Sequence, residues 1–396
     1  MHASPFPSAS DTAPLLLLRD MERCAPDALG RGDVLIGGGR ILALDAGLNV
    51  GSLPCRVLDA AQFDGADVIA VPGLVDSLVH IGGGGGEGGF ATRMPALRAE
   101  DALAGGVTTL IGALGTDEVT RSHADLLACA RALGAHGLSA YALTGSYCVP
   151  PATLTGTVRG DLVLIPDILG VGEVAIADHR GSHPTVAELA RIAADARVGG
   201  MLAGKAGTVL VHVGDDAEGL GLLEAVCARH PLPRTQWLPT HVNRNAPLLE
   251  HGLRWAQAGG TVDLTTSTTS ELLAAGEVPA ADALLRLRRD GVAAGRITLS
   301  SDGQASLPHF DANGRLLSVE VAPIASLLAC VRSLVHDHGL AIGDALEAAT
   351  RAPADVWGLP RKGRLAVGAD ADVLLLDRDS LRLRATIAGG RVHRVG

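Results

Sequence analysis

Lysine is nearly missing from this sequence: Lys205 and Lys362 are the only two, and arginine carries the positive charge. The excess of Ala, Gly and Arg reads as genomic composition. No basic patch and no arginine run interleaved with aromatics occurs, and the net charge is −10, which excludes nucleic acid as the main partner. Charged residues make up 19% without long runs, so wholesale disorder is excluded. The six cysteines, Cys24, Cys55, Cys129, Cys148, Cys227 and Cys330, include no CxxC pair. Scattered in this way they read as free thiols of a reducing compartment, mostly small buried residues. The N-terminus, MHASPFPSASDTAPLLLLRD, lacks a basic lead-in and has only four consecutive leucines. It reads as neither a signal peptide nor a membrane span. Its first dozen residues are expected to form a mobile tail, and the protein to be cytoplasmic with no membrane partner.

What is present is length and apolar content. With 396 residues, 47% of them hydrophobic, the chain can build one large domain and a smaller one. Residues 14–72 hold short β-rich runs, among them LLLLRD, GDVLIGGGRILAL and ADVIAV, broken by Gly, Pro and Asp. The closing GADADVLLLDRDSLRLRATIAGGRVHRVG has the same character. The expected organisation is a small β-sandwich domain made by residues 1–72 and 356–396, with a main domain over 73–355 inserted between. In that middle, apolar runs such as VTTLIGAL, VGEVAIAD, TVLVHVG and ITLSSD alternate with amphipathic helical stretches such as TVAELARIAADARVGG. About eight strand–helix units in series predict a (β/α)8 TIM-type barrel. An open doubly wound sheet is the competitor. It is disfavoured because polar residues gather at the C-terminal ends of the strands, where a barrel has its mouth.

Five of those polar residues stand out. His80 ends the first barrel strand, Glu173 lies in the fourth, His212 in the fifth, His241 ends the sixth and Asp302 ends the eighth. Imidazole and carboxylate together suit zinc or a similar divalent ion. Each alone has an ordinary structural explanation: a hydrogen-bonded strand histidine, a helix cap, a buried acid paired with arginine. Five at five strand ends point to a metal site.

The motifs HIGGGGGEGG, GALGTDEVTR, LTGSYCVP, AIADHR, LVHVGD, LPTHVNRN and LSSDG, with the closing GADADVLLLD, resemble the isoaspartyl (β-aspartyl) dipeptidases of the amidohydrolase superfamily. The resemblance implies metal-dependent hydrolysis of the β-aspartyl amide in small dipeptides, in a homo-oligomer. It implies that His80, Glu173, His212, His241 and Asp302 hold Zn2+, one or two ions per chain. Asp302 would also be the general base and acid, and Tyr147 would polarise the scissile carbonyl. Glu87 would hold the substrate α-ammonium, and Arg180, Arg244, Thr116 and Ser306 its carboxylates or polar groups. The residue types suit such a substrate. A glycine-rich loop lets an acid approach an ammonium closely, and arginine grips carboxylate in bidentate fashion.

Two departures from the family pattern are visible. Leu78 stands where the family has the first histidine of a pair, and it is expected to project an apolar branch into the site. Glu173 stands where the family has a metal-bridging carboxylated lysine, with one extra residue just before it. Together they imply a change from two metals to one, held by Glu173, His212 and His241. Two other readings stay open: an amidohydrolase with a different amide substrate, and a binding protein that hydrolyses poorly.

Overall fold

The computed structural model describes residues 15–63, 67–310 and 316–394. The expected N-terminal tail lies outside these residues. Strands β1 (Leu15–Cys24), β2 (Ala28–Gly37), β3 (Arg40–Asp45), β4 (Cys55–Asp59) and β5 (Val68–Pro72) come first. Eight strands of the middle follow: β6 (Leu74–Val79), β7 (Val107–Gly112), β8 (Ser139–Thr144), β9 (Ile168–Ile176), β10 (Val209–Val213), β11 (Trp237–Thr240), β12 (Val262–Thr265) and β13 (Ile297–Ser300). A hairpin, β14 (Ser306–Phe310) and β15 (Leu316–Val321), precedes the returning strands β16 (Val373–Asp377), β17 (Leu383–Ala388) and β18 (Arg391–Arg394).

Both chain ends feed one eight-stranded sheet in the order β18-β17-β16-β5-β1-β2-β3, with β4 branching from β1. Residues 15–18 of β1 pair with both β2 and β4, and the strand then pairs with β5 at Glu22 and Arg23. The sheet encloses its own core of Leu16, Leu18, Met21, Val34, Ile36, Val373, Leu375 and Ile387. The period-2 alternation of β16 joins the two parts of the molecule. Val373 and Leu375 enter this core, while Leu374 and Leu376 enter the larger one.

Strands β6 to β11 form a parallel sheet, and β12 pairs with β13 in parallel. Hydrogen bonds close both seams. Val242 N–H donates to Asp263 O at 3.3 Å beside β11 and β12, and His80 N–H donates to Gly303 O at 2.8 Å beside β13 and β6. This is the (β/α)8 barrel, with helices on the outside. The longest, Val186–Ala203, starts at a capping box in which Thr185 and Glu188 satisfy each other's backbone N–H groups.

The barrel interior is layered. Leu78, Ile111, Leu143, Leu169, Leu210, Leu238 and Trp357 form one apolar layer, all buried. The polar residues lie past it, at the C-terminal strand ends. Leu78 therefore sits where the alternation of β6 puts it, on the face of His80, but it belongs to the barrel's apolar layer and does not line the cavity at the mouth. The expectation that it projects into the site is corrected on this point: the apolar neighbours around it absorb its side chain. Among the described residues no helix is long and apolar enough to cross a membrane.

Candidate active site

A cavity of about 490 Å³ opens at the C-terminal strand ends. It is lined by His80, Glu87, Thr116, Tyr147, Glu173, Arg180, His212, His241, Arg244, Asp302 and Ser306, the full set singled out from sequence. It is also large enough for a small organic ligand.

Glu173 reaches it through a β-bulge. In the β9–β10 register Val171 pairs with Val209 and Val174 with Val211, so Gly172 and Glu173 together oppose Leu210. On a regular strand residues 171 and 173 would share a face. Here Val171 packs in the outer core while Glu173 faces the cavity. The extra residue noticed in VGEVAIAD falls at this bulge. Gly172 is required there: its φ is 148°, and a Cβ would stand 2.8 Å from both Leu210 Cβ and Leu210 O.

Three ligand atoms converge. Glu173, His212 and His241 each present one within 4.8 Å of the others, and all three residues are buried. Glu173 Oε2 lies 3.3 Å from His212 Nδ1 and 3.7 Å from His241 Nε2. Across the same carboxylate, Oε1 lies 3.5 Å from His80 Nε2, which is itself 3.1 Å from Asp302 Oδ1. That last contact misses hydrogen-bond geometry, and both Asp302 Oδ1 and His80 Nδ1 are buried without a hydrogen-bond partner. Carboxylate and imidazole donors converging with such orphaned polar atoms fit a divalent cation.

Charges shift accordingly. Burial works to raise Glu173, but the His212 and His241 imidazoles beside it outweigh burial and hold its carboxyl well below the usual range. Burial alone would lower His80, yet Asp302 and Glu173 push it up to about 9. Burial pulls His241 down to about 4, partly opposed by Glu173. Tyr147 is raised well above the ordinary tyrosine range, by burial first and then by Glu173, so its phenol stays protonated. Its hydroxyl lies 2.8 Å from His212 Nδ1. His241 and Asp302 take left-handed backbone, φ 60° and 52°, a conformation non-glycine residues hold at a cost on the order of 1–3 kcal/mol.

The acid on the glycine loop is held from two sides. Thr116 Oγ1 donates to Glu87 Oε1 at 2.9 Å, and Ser306 Oγ donates to Oε2 at 3.4 Å. Arg180 Nη1 stands 3.7 Å from Glu87 Oε1. Arg121 fixes the loop itself, donating to the carbonyls of Gly82, Gly84 and Met94. The chain runs so close there that a Cβ on Gly83 would be 2.3 Å from Met94 O.

The two arginines differ. Arg180 is clamped by Asp178, with Nε to Oδ1 at 3.0 Å and Nη2 to Oδ2 at 2.7 Å. Arg244 makes no side-chain hydrogen bond or ion pair among the described residues, and its Nε is buried without a partner. It is the cation in the cavity free to take an anion.

Sequence reasoning passed over four residues. Asp178 stands inside the quoted AIADHR, two before Arg180, where an acid facing both a ligand and an arginine could have been suspected. Arg121 closes the quoted GALGTDEVTR. Asn243 of LPTHVNRN bonds Thr265 N, Thr265 O and Val278 O and so fixes the turn after His241. Glu277 lines the cavity, and burial pushes it up to about 7. Nothing in its sequence surroundings marks it.

A model of the amidohydrolase family matches residues 240–393. The structure is similar to a β-aspartyl dipeptidase from Fervidobacterium islandicum AW-1 in complex with β-Asp-Leu dipeptide. It is 39% identical to that enzyme over 97% of each chain, with a TM-score of 0.89. A second structure of a β-aspartyl dipeptidase from that organism is 37% identical over 96% of this chain and 97% of that one, TM-score 0.86. The N-acetylglucosamine-6-phosphate deacetylase of Bos taurus is 41% identical over 108 residues, 26% of this chain and 25% of that enzyme. The chain thus spans about a quarter of the length of the curated relatives it matches.

Proposed function

The chain belongs to the amidohydrolase family, among its β-aspartyl dipeptidases, and from that premise we propose that it hydrolyses the β-aspartyl amide bond of isoaspartyl dipeptides. One observation carries the reading: a single cavity holds the Glu173, His212 and His241 cluster, the acid Glu87 and the unpaired cation Arg244. A β-aspartyl dipeptide presents an ammonium, an amide and two carboxylates, which need those three kinds of partner.

Glu173, His212 and His241 would hold one divalent ion, and zinc suits their nitrogen and oxygen donors. The ion, when bound, supplies a Lewis acid and lowers the pKa of a coordinated water toward neutrality. The chain's own residues do the rest. Glu87 receives the α-ammonium. Arg244 takes a carboxylate, and Arg180, oriented by Asp178, faces the same end as Glu87. Tyr147, a protonated phenol, donates to the carbonyl oxygen as negative charge grows on it. Asp302 accepts a proton from the attacking water and passes it to the departing amine. All six cysteines are free, which supports a cytoplasmic setting. A homo-oligomer, as the family resemblance implies, is testable by light scattering.

The decisive experiment compares β-Asp-Leu with its N-acetylated form and with α-Asp-Leu. Turnover of the first, with sharp loss on acetylation and little activity on the α-linked dipeptide, is expected. Equal rates on both linkages would refute isoaspartyl specificity.

A further inference from the structure

We infer that Asp178 is a positioning residue, which holds His212 in its metal-ligating tautomer and ties that ligand to the substrate arm Arg180. The inference rests on the ligand set proposed above.

Asp178 follows β9 and is 5% exposed. Its Oδ1 accepts from the Arg180 backbone N–H at 2.8 Å and from Arg180 Nε at 3.0 Å. Its Oδ2 accepts from Arg180 Nη2 at 2.7 Å and lies 2.9 Å from His212 Nε2.

A carboxylate whose two oxygens are both engaged by the Arg180 guanidinium only accepts hydrogen bonds, so the proton of a neutral His212 must sit on Nε2. Arg180 Nη2, 3.3 Å from that nitrogen, then faces it donor to donor and makes no competing bond. The lone pair is left on Nδ1, the nitrogen beside Glu173 Oε2. The other tautomer would bury a proton where a cation is to bind. His241 is held differently. Its Nδ1 has Thr265 Oγ1 at 2.6 Å, and Nε2 is the nitrogen beside Glu173. A hydroxyl supports His241 while a charged carboxylate supports His212, and a charged partner makes the imidazole the stronger donor.

One carboxylate therefore serves two functions. Removing it acts on metal affinity and on substrate binding together, whereas removing Arg180 acts on substrate binding alone. A residue that merely supported the fold would not produce this split.

The test uses the full chain stripped of metal, with zinc alone as the probe. In the wild type, the ¹⁵N signals of His212, identified by their loss in H212Q, are expected to show the Nε2–H tautomer. Asp178→Asn is expected to raise the zinc dissociation constant about ten- to a hundredfold, measured by chelator competition. Its KM for β-Asp-Leu should rise as well. Arg180→Gln should raise KM but leave zinc affinity within about twofold. A folded D178N that binds zinc as tightly as wild type overturns the inference. So does an Nδ1–H tautomer, or an R180Q that weakens zinc as much as D178N. Should D178N fail to fold, the tautomer and the R180Q measurement still decide. If the wild type leaves β-Asp-Leu intact, the functional reading fails, while zinc affinity and tautomer remain readable on their own.

Discussion

Glu173 faces His80 with one oxygen, at 3.5 Å, and His212 with the other, at 3.3 Å. The carboxylate thus stands between two groups of donors, His80 with Asp302 on one side and His212 with His241 on the other. The second group has two imidazoles and a carboxylate oxygen, the composition of an open catalytic zinc site. The first has a single imidazole, His80, beside the Asp302 carboxylate.

The expected metal content is therefore one tightly held ion per chain, with any second ion lost on dialysis. Elemental analysis before and after dialysis checks this. Two ions that resist dialysis equally would show that Glu173 bridges and that His80 and Asp302 suffice for a second site.

Leu78→His is expected to gain no second tight ion. The new imidazole would enter the apolar layer of Ile111, Leu143, Leu210, Leu238 and Trp357. Burying its polar nitrogens there costs roughly 1–3 kcal/mol, visible as a lowered melting temperature of the metal-free protein. A two-metal, faster L78H enzyme would contradict the single-ion account.

Activity should not depend on bicarbonate. Lys205 Nζ donates to the carbonyls of Leu162, Ile165 and Ile168, each at 2.7 Å, and Lys362 Nζ is held by Asp372 at 2.6 Å and Asp370 at 2.9 Å. Neither lysine lines the cavity, so none is available there for carboxylation. Metal-free enzyme reconstituted with zinc in CO2-free buffer and in bicarbonate should recover equal activity. A bicarbonate requirement would place a carboxylated amine at the site.

The barrel and the site residues were legible for physical reasons. Buried parallel strands read as continuous apolar runs, and a barrel collects whatever polar residues end them, so His80, His212, His241 and Asp302 could be named from position alone. The depth of Leu78 was not legible, because alternation tells which face a side chain takes but not which layer of the barrel receives it. The displacement at Glu173 was visible only as a surplus residue. Its meaning needed the register against the neighbouring strand β10. Asp178 was missed because its importance lies in two contacts, to His212 and to Arg180, only one of which is local.

A pH-dependent stability term sits inside the barrel. Asp76 is fully buried, and burial, opposed only in part by its bonds from Ser301, pushes it up to about 7. The folded chain thus binds this proton more tightly than the unfolded chain, where an aspartate titrates near 3.9. Its contribution is full below about pH 4 and is lost as pH rises to about 7. Asp76→Asn keeps an acceptor for Ser301 N–H and cannot titrate. Its stability relative to wild type should therefore climb between those pH values, by on the order of a few kcal/mol, and stay level above them. Denaturant melts of both metal-free proteins at several pH values measure it. A difference independent of pH would show that Asp76 is ionised throughout.

Tyr147→Phe separates chemistry from binding. The Tyr147 phenol is 5% exposed and raised well above its ordinary pKa, so it is a donor at any working pH. At rest its hydroxyl lies 2.8 Å from His212 Nδ1, the lone pair that the ion is proposed to use. Engagement of that lone pair frees the hydroxyl to turn to a substrate carbonyl, where its bond strengthens as charge develops. Loss of one such donor typically lowers kcat by about 10²–10³, roughly 2.7–4 kcal/mol. In Y147F that loss should fall on kcat with KM little changed. Zinc affinity should be unchanged or slightly better, because the competing hydroxyl is gone. Steady-state kinetics on β-Asp-Leu with a chelator-competition titration reads all three quantities. Unaltered kcat with a raised KM would assign Tyr147 to substrate positioning instead, and weakened zinc binding would mean that its hydroxyl supports His212 instead of competing for it.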